Sequence, residues 1–124
     1  MTTSILKYTA PVLAAAALAL PTASLAANPV TASPQFKSAE IDGLNIAYRE
    51  AGDPSNPTVL LLHGFPTSSH MFRNLIPELA EDYHVIAPDY PGFGASDMPD
   101  AAEYEYSFAN TAALMTGLLD QKGV

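Results

Sequence analysis

The stretch that decides the fold is Thr58-Val59-Leu60-Leu61-Leu62, which runs directly into His63-Gly64-Phe65-Pro66. The first five residues are apolar or β-branched and show no alternation. Such a strand is typical of a parallel sheet that helices cover on both faces. A glycine at the carboxyl end of the strand lets the backbone turn sharply, and the amides that follow can face the crevice where open α/β sheets bind ligands.

A second buried strand is predicted at His84-Val85-Ile86-Ala87, and it too runs into a glycine-rich turn, from Pro88 to Pro99. Within that turn, Asp89 precedes Gly92 and Gly94. An aspartate at the end of a strand more often accepts hydrogen bonds from turn amides than it acts as a general acid, and we expect the turn role for Asp89. Both turns should lie at the same edge of the sheet.

The remaining elements are read from local signals. The Asp42-Gly43 pair predicts a hairpin turn, because both residues tolerate positive φ angles. The two prolines between Gly52 and Pro57 indicate a loop. Ser68 or Ser69 can cap a helix that runs to Leu79, limited or kinked by Pro77, and Ser107 can cap a last helix that stops at Lys122 and Gly123. The order of hairpin, strand, helix, strand and helix predicts an α/β sheet, with an antiparallel hairpin followed by parallel strands and helices on both faces.

The N-terminus has the pattern of a secretory signal. Lys7 precedes the apolar run from Val12 to Leu20, and the small residues Ser24 and Ala26 form a cleavage site. The run is too short to cross a bilayer as a stable anchor of the mature protein. We expect residues 1–26 to be a signal peptide, 27–35 a flexible lead-in, and 36–124 the folded portion of a periplasmic or secreted protein.

The amino-acid composition disfavours several classes of binding partner. The 124 residues contain 5 Lys and Arg against 13 Asp and Glu, a net charge of −8 that disfavours nucleic acid and anionic lipid. There is no cysteine, which excludes disulfides and thiolate metal sites. The three histidines are not spaced as zinc ligands. We therefore expect a small-molecule substrate and no cofactor or metal, and the oligomeric state stays open.

Several single residues have both a functional and a structural interpretation. His63 could be catalytic, but we expect its ring to brace its own loop by a hydrogen bond. His70 and His84 are expected on a helix surface and at a strand edge. Gly92-Phe93-Gly94 could belong to a dinucleotide fingerprint, yet the third small residue of that fingerprint would fall on the acidic Asp97. Phe65, Phe72 and Phe93 could line a pocket or fill the core.

Three ordered motifs resemble the N-terminal part of an α/β-hydrolase, especially its epoxide-hydrolase and haloalkane-dehalogenase branch. They are His63-Gly64-Phe65-Pro66, the segment from Met71 to Pro77, and Asp89-x-x-Gly92-x-Gly94-x-Ser96-Asp97. The resemblance covers residues 36–124. It implies that the Phe65 backbone N–H is an oxyanion-hole donor and that the Phe65-Pro66 peptide is cis. It also implies supporting roles in the site loops for His63, Gly64, Pro66, Asp89, Gly92 and Gly94.

Two features limit what the resemblance implies. Dehalogenases of this branch commonly have Asn at the position of Phe65 and hold the departing halide with its side-chain amide. Because Phe65 has no such amide, the sequence favours epoxide hydrolases, fluoroacetate-type dehalogenases or esterases. No nucleophile elbow of the G-x-S-x-G type or its Asp variant follows a strand. We expect a secreted hydrolase truncated before that elbow and inactive alone, with Asp or Ser as the nucleophile of the parent. The alternative is a short, non-catalytic α/β binding or interaction module.

Overall fold

Four strands form one mixed sheet in the order β1-β2-β4-β3. The computed structural model describes residues 33–124, so the predicted signal peptide and most of the lead-in lie outside the described residues. The β1 strand pairs antiparallel with β2, β2 pairs antiparallel with β4, and β4 pairs parallel with β3. The predicted fold class is confirmed. The strands are β1 Gln35–Ile41, β2 Leu44–Ala51, β3 Thr58–Leu60 and β4 His84–Pro88.

The β1–β2 hairpin turns at the predicted pair. Asp42 has a φ of 49° and Gly43 a φ of 79°, and Ile41 faces Leu44 across the turn. Two successive positive φ angles give the two-residue turn whose twist matches that of the flanking strands. This turn sets the register that buries Ile46 and Tyr48 on one face of the sheet.

The β3 strand is shorter than predicted and lies at an edge. It pairs with β4 from Thr58 to Leu60, and the Leu61 amide adds one hydrogen bond to the Ile86 carbonyl at 2.8 Å. Within residues 33–124, no strand pairs with its other side. Leu62 is 49% exposed. Regular pairing of β3 with β4 therefore ends before Leu62.

The helix predicted from Ser68 or Ser69 to Leu79 is wrong in its continuity, because two short pieces replace it. A 3₁₀ helix spans Ser69–Phe72 and α1 spans Leu75–Leu79. Ser68 caps the first piece, accepting a hydrogen bond from the His70 amide at 3.3 Å. The break lies at Arg73 and Asn74, because Pro77, in the first turn of α1, has no N–H to donate to the Arg73 carbonyl in a continuous helix.

The α2 helix spans Phe108–Lys122 and has both predicted ends. The Ser107 hydroxyl accepts a hydrogen bond from the Asn110 amide at 3.2 Å. Gly123 closes the other end with a φ of 75°, in the left-handed conformation that glycine adopts without strain. In the described part of the chain, no helix is long and apolar enough to cross a membrane.

The sheet has a core on each face. On one face, α2 packs over the buried side chains of β2 and β4, and on the other face α1 packs over their alternate positions. This two-sided burial is what the unbroken apolar strands predict. The first core contains Ile41, Ile46, Tyr48, Ile86, Leu114, Met115 and Leu118, and the second contains Ala51, Ile76, Ala80, Val85 and Ala87.

A buried carboxylate joins three elements on the α2 face. Glu50 of β2 accepts hydrogen bonds from Lys37 at 2.6 Å, from Lys122 at 3.0 Å and from His84 at 2.8 Å. Burial raises the pKa of Glu50, but these three partners outweigh it and lower the pKa from 4.5 to about 2. His84, expected at a strand edge, is the first residue of β4, and it is buried here.

Candidate active site

The turns that follow β3 and β4 lie together at one edge of the sheet. The Tyr90 amide donates a hydrogen bond to Nε2 of His63 at 3.0 Å, and the two rings lie with their centroids 4.2 Å apart. The strand ends predicted this meeting, because parallel neighbours place their carboxyl ends at the same edge.

His63 is buried and both of its ring nitrogens have partners. A backbone amide can only donate, so Nε2 must accept the Tyr90 N–H and the proton lies on Nδ1. Nδ1–H then donates to the Gly64 carbonyl at 2.9 Å. The ring therefore braces its own loop, as the sequence predicted, and neither nitrogen is free to act as a base.

The ring and the backbone amide of Phe65 have different surroundings. The residue is 86% exposed, and its ring meets that of Phe93 edge-on, with centroids 6.1 Å apart. Among the described residues, no acceptor receives the Phe65 N–H, and this segment lies outside the strand ladders. The Phe65–Pro66 peptide is cis, as predicted. An unengaged amide in a turn next to a groove is what an oxyanion-hole donor requires.

Asp89 is 5% exposed and joins the two turns through its carboxylate. Oδ1 accepts the Ser69 amide at 2.7 Å and Oδ2 accepts the Ala95 amide at 3.0 Å. Ser69 begins the 3₁₀ helix that follows the Phe65 loop, so one side chain fixes both loops. The predicted turn role of Asp89 agrees with this geometry.

The two glycines of the second turn have positive φ angles, 83° for Gly92 and 55° for Gly94. A Cβ atom on Gly94 would lie 2.0 Å from Oδ2 of Asp89. The carboxylate can approach the turn amide only because residue 94 has no side chain.

Ser96 and Asp97 attach the second turn to β2. The Ser96 hydroxyl donates to the Asp89 carbonyl at 2.7 Å and accepts the Ala47 amide at 2.9 Å. Asp97 accepts the Asn45 amide at 2.8 Å. The last two residues of the third motif therefore have a structural role, anchoring the turn to the sheet.

Arg49 is the site-supporting residue that the sequence did not single out. Its Nε donates to the Ser69 hydroxyl at 3.1 Å, and its guanidinium lies 3.8 Å from the centroid of the Phe36 ring. Burial lowers the pKa of Arg49, and the Asp89 carboxylate opposes that shift. The available signal was its strand position, since Arg49 faces away from Tyr48 into the α1 side of the sheet.

An open groove with a volume of about 920 Å³ lies between the free edge of β3 and α2. Within residues 33–124, the lining of this groove is mainly apolar and aromatic. Phe65 and Phe93 line it, whereas Phe72 packs against the core on the α1 side. The other lining residues are Leu60, Leu62, His63, Gly64, Tyr90, Pro91, Tyr106, Ser107, Phe108, Thr111, Ala112, Met115, Thr116 and Leu119.

Across residues 33–124, no group of three or more His, Cys, Asp or Glu side chains is arranged to hold a metal ion.

The fold defines an α/β protein in which two glycine-containing turns meet at the carboxyl edge of the parallel strands. The family model for the alpha/beta hydrolase fold matches residues 57–124. The chain therefore belongs to the α/β-hydrolase family.

Relatives within the family point to one branch. The chain is 57% identical over 79 residues to an uncharacterized hydrolase of Saccharomyces cerevisiae, covering 64% of this chain and 27% of the relative. It is 42% identical over 90 residues to a haloalkane dehalogenase of Bradyrhizobium diazoefficiens, covering 73% and 28%. The crystal structure of epoxide hydrolase A from Mycobacterium thermoresistibile matches with a TM-score of 0.68 and 40% identity, covering 73% and 28%. The chain thus spans little more than a quarter of the length of these relatives.

Proposed function

We propose that this chain is the N-terminal part of a secreted hydrolase that cleaves an ester, epoxide or carbon–halogen bond, with the Phe65 N–H as a donor of its oxyanion hole. One observation carries the proposal. The Phe65 amide is unengaged among the described residues, beside an apolar groove, on a loop that His63 and Asp89 hold in place.

The chemistry follows from where negative charge develops. Water or a nucleophile that attacks an ester carbonyl turns its oxygen into an anion, and a fixed N–H stabilises that anion more than the ground state. If the parent uses a carboxylate nucleophile, epoxides and alkyl halides pass through a covalent ester, and the same donor serves its hydrolysis. Loss of one such donor raises the barrier by about 3–4 kcal/mol.

The groove and Phe65 favour an uncharged substrate. Most lining side chains are apolar or aromatic, and Phe65 lies where the family resemblance implies an Asn that holds halide in dehalogenases. Phe65 cannot donate a hydrogen bond to halide from its side chain. This favours epoxide or ester hydrolysis over the common haloalkane reaction.

The attacking group is proposed to lie elsewhere in a longer protein. The relatives are more than three times as long as the matched segment. Within residues 33–124, His63 has both ring nitrogens engaged and Asp89 has both carboxylate oxygens engaged, so neither supplies a nucleophile–base pair. Residues 1–124 alone should therefore hydrolyse nothing. Secretion is proposed from the signal pattern before Ala27, and the partner from the groove as a small molecule.

The test is a three-arm assay of the full-length protein that carries this chain. Aryl esters, aryl epoxides and bromoalkanes are each offered, and acid, diol, or alcohol and bromide are measured. We expect turnover of an ester or epoxide, and no turnover by residues 1–124 as the matched control. Failure of the full-length protein to turn over any of the three classes would refute the proposed function.

A further inference from the structure

The carbonyl oxygen of Gly64 receives three hydrogen bonds. His63 Nδ1–H donates at 2.9 Å, the Thr67 amide at 3.1 Å and the Thr67 hydroxyl at 2.7 Å. A carbonyl oxygen has two lone pairs, and in a loop one partner suffices to satisfy it. The shortest of the three bonds comes from an exposed side chain, so burial does not require it.

These hydrogen bonds also determine the orientation of the next backbone amide, that of Phe65. The Gly64–Phe65 peptide is trans, since the cis bond of this loop is the following one. In a trans peptide the C=O and N–H vectors point in opposite directions. Donors that fix the Gly64 oxygen on the Thr67 side therefore fix the Phe65 N–H on the opposite side.

The same three bonds strengthen the donor. Hydrogen bonds accepted by a carbonyl polarise its peptide group and leave its N–H more positive. A preorganised and polarised N–H stabilises a developing oxyanion without reorganising during the reaction.

We propose that Thr67 is a positioning residue of the oxyanion hole, acting through the Gly64–Phe65 peptide. The inference rests on the proposed function. The Thr67 hydroxyl also lies 3.3 Å from the Met71 sulfur, but a hydroxyl has one proton, and the 2.7 Å contact to Gly64 is the stronger bond. A purely structural role would be to stabilise the turn from Gly64 to Thr67, which the Thr67 amide already closes.

The experiment compares Thr67→Val and Thr67→Ser in the full-length protein. Valine keeps the shape and the backbone amide but removes the hydroxyl, whereas serine keeps the hydroxyl. Ser55→Ala is the matched control, since it removes an exposed hydroxyl that donates to Asp53 at 2.8 Å in a distant loop. The readouts are kcat, KM and the amide resonance of Phe65 in protein labelled with 15N-phenylalanine.

Thr67→Val should lower kcat by about three- to ten-fold, the fold-change that matches the net worth of one hydrogen bond, with KM little changed. The Phe65 amide proton should move upfield as its peptide loses polarisation. Thr67→Ser should restore both, and Ser55→Ala should change neither. Unchanged kcat and an unmoved Phe65 resonance in Thr67→Val would overturn the inference, as would a loss that serine does not rescue.

The two proposals fail separately. A wild-type protein that hydrolyses no substrate refutes the proposed function. The Phe65 resonance still tests the positioning role in that protein. A Phe65 resonance that moves in Thr67→Val and returns to its wild-type position in Thr67→Ser supports the effect of the Thr67 hydroxyl on this amide. A resonance that stays in place in Thr67→Val overturns it.

Discussion

Replacing Gly94 by alanine should displace the carboxylate that joins the two site loops. The added Cβ would lie 2.0 Å from Oδ2 of Asp89, whereas ordinary contacts begin at 3.4 Å. The carboxylate must therefore move by more than an ångström, which breaks its 3.0 Å bond to the Ala95 amide. A hydrogen bond to a charged group contributes about 1.5–3 kcal/mol, and a left-handed alanine costs about 1–2 kcal/mol more.

The expected loss for Gly94→Ala is therefore about 2.5–5 kcal/mol of unfolding free energy, a large part of the roughly 5–15 kcal/mol that stabilises a typical protein. Gly43→Ala is the matched control. Gly43 also has a positive φ, of 79°, but its Cβ would meet nothing within 4 Å. Gly43→Ala should cost only the backbone strain, about 1–2 kcal/mol.

Urea unfolding of the full-length protein, followed by far-UV circular dichroism, measures both variants. A third arm introduces Gly94→Ala into an Asp89→Ala background, where the clash is gone. There its added cost should fall to that of Gly43→Ala, because the two changes are coupled. The reasoning is refuted if Gly94→Ala costs no more than Gly43→Ala in the wild-type background.

Three further predictions concern stability and processing. The charged form of Glu50 stabilises the fold because its pKa is lowered to about 2, so this contribution should be lost as pH falls from 4.5 toward 2. Glu50→Gln should flatten that part of a plot of urea midpoint against pH, and equal slopes would contradict the assignment. Residues 27–124 expressed alone should be insoluble or molten, because within residues 33–124 no strand pairs with the apolar outer edge of β3, and a sharp reversible melt would argue against this. Mass spectrometry of the exported protein should find Ala27 as its first residue, and an intact Met1 would exclude the predicted cleavage.

Local signals in the sequence were enough to predict most of the fold. The Asp42-Gly43 turn, the buried β4 strand and both caps of α2 each depend on a few neighbouring residues, and all are present. The prediction of one continuous helix to Leu79 was wrong because it relied on the apolar spacing, and Pro77 removes a backbone hydrogen bond that such a helix needs. The full length of β3 failed because pairing depends on neighbours that a single strand does not reveal.

The candidate site could also be predicted only in part, because some of its residues are recognised from local motifs and others depend on long-range contacts. The loop-joining role of the Asp89 carboxylate was predicted from its place between a strand end and a glycine turn, whereas the proposed role of the Phe65 N–H comes from the family resemblance. The contributions of Arg49 and His84 depend on contacts between residues far apart in sequence, Arg49 with Ser69 and His84 with Glu50. Periodicity gives the face on which such a residue lies but not the partner that it meets.

The most direct test of the central claim replaces the Phe65 N–H by an ester oxygen and leaves every side chain in place. Replacing Phe65 by its α-hydroxy acid turns the Gly64–Phe65 amide into an ester while keeping the phenyl ring and Pro66. We expect kcat of the full-length protein to fall by about 100- to 1,000-fold with KM nearly unchanged, as for loss of one oxyanion donor. An ester-containing protein that keeps its wild-type kcat would contradict the assignment of this amide to the oxyanion hole.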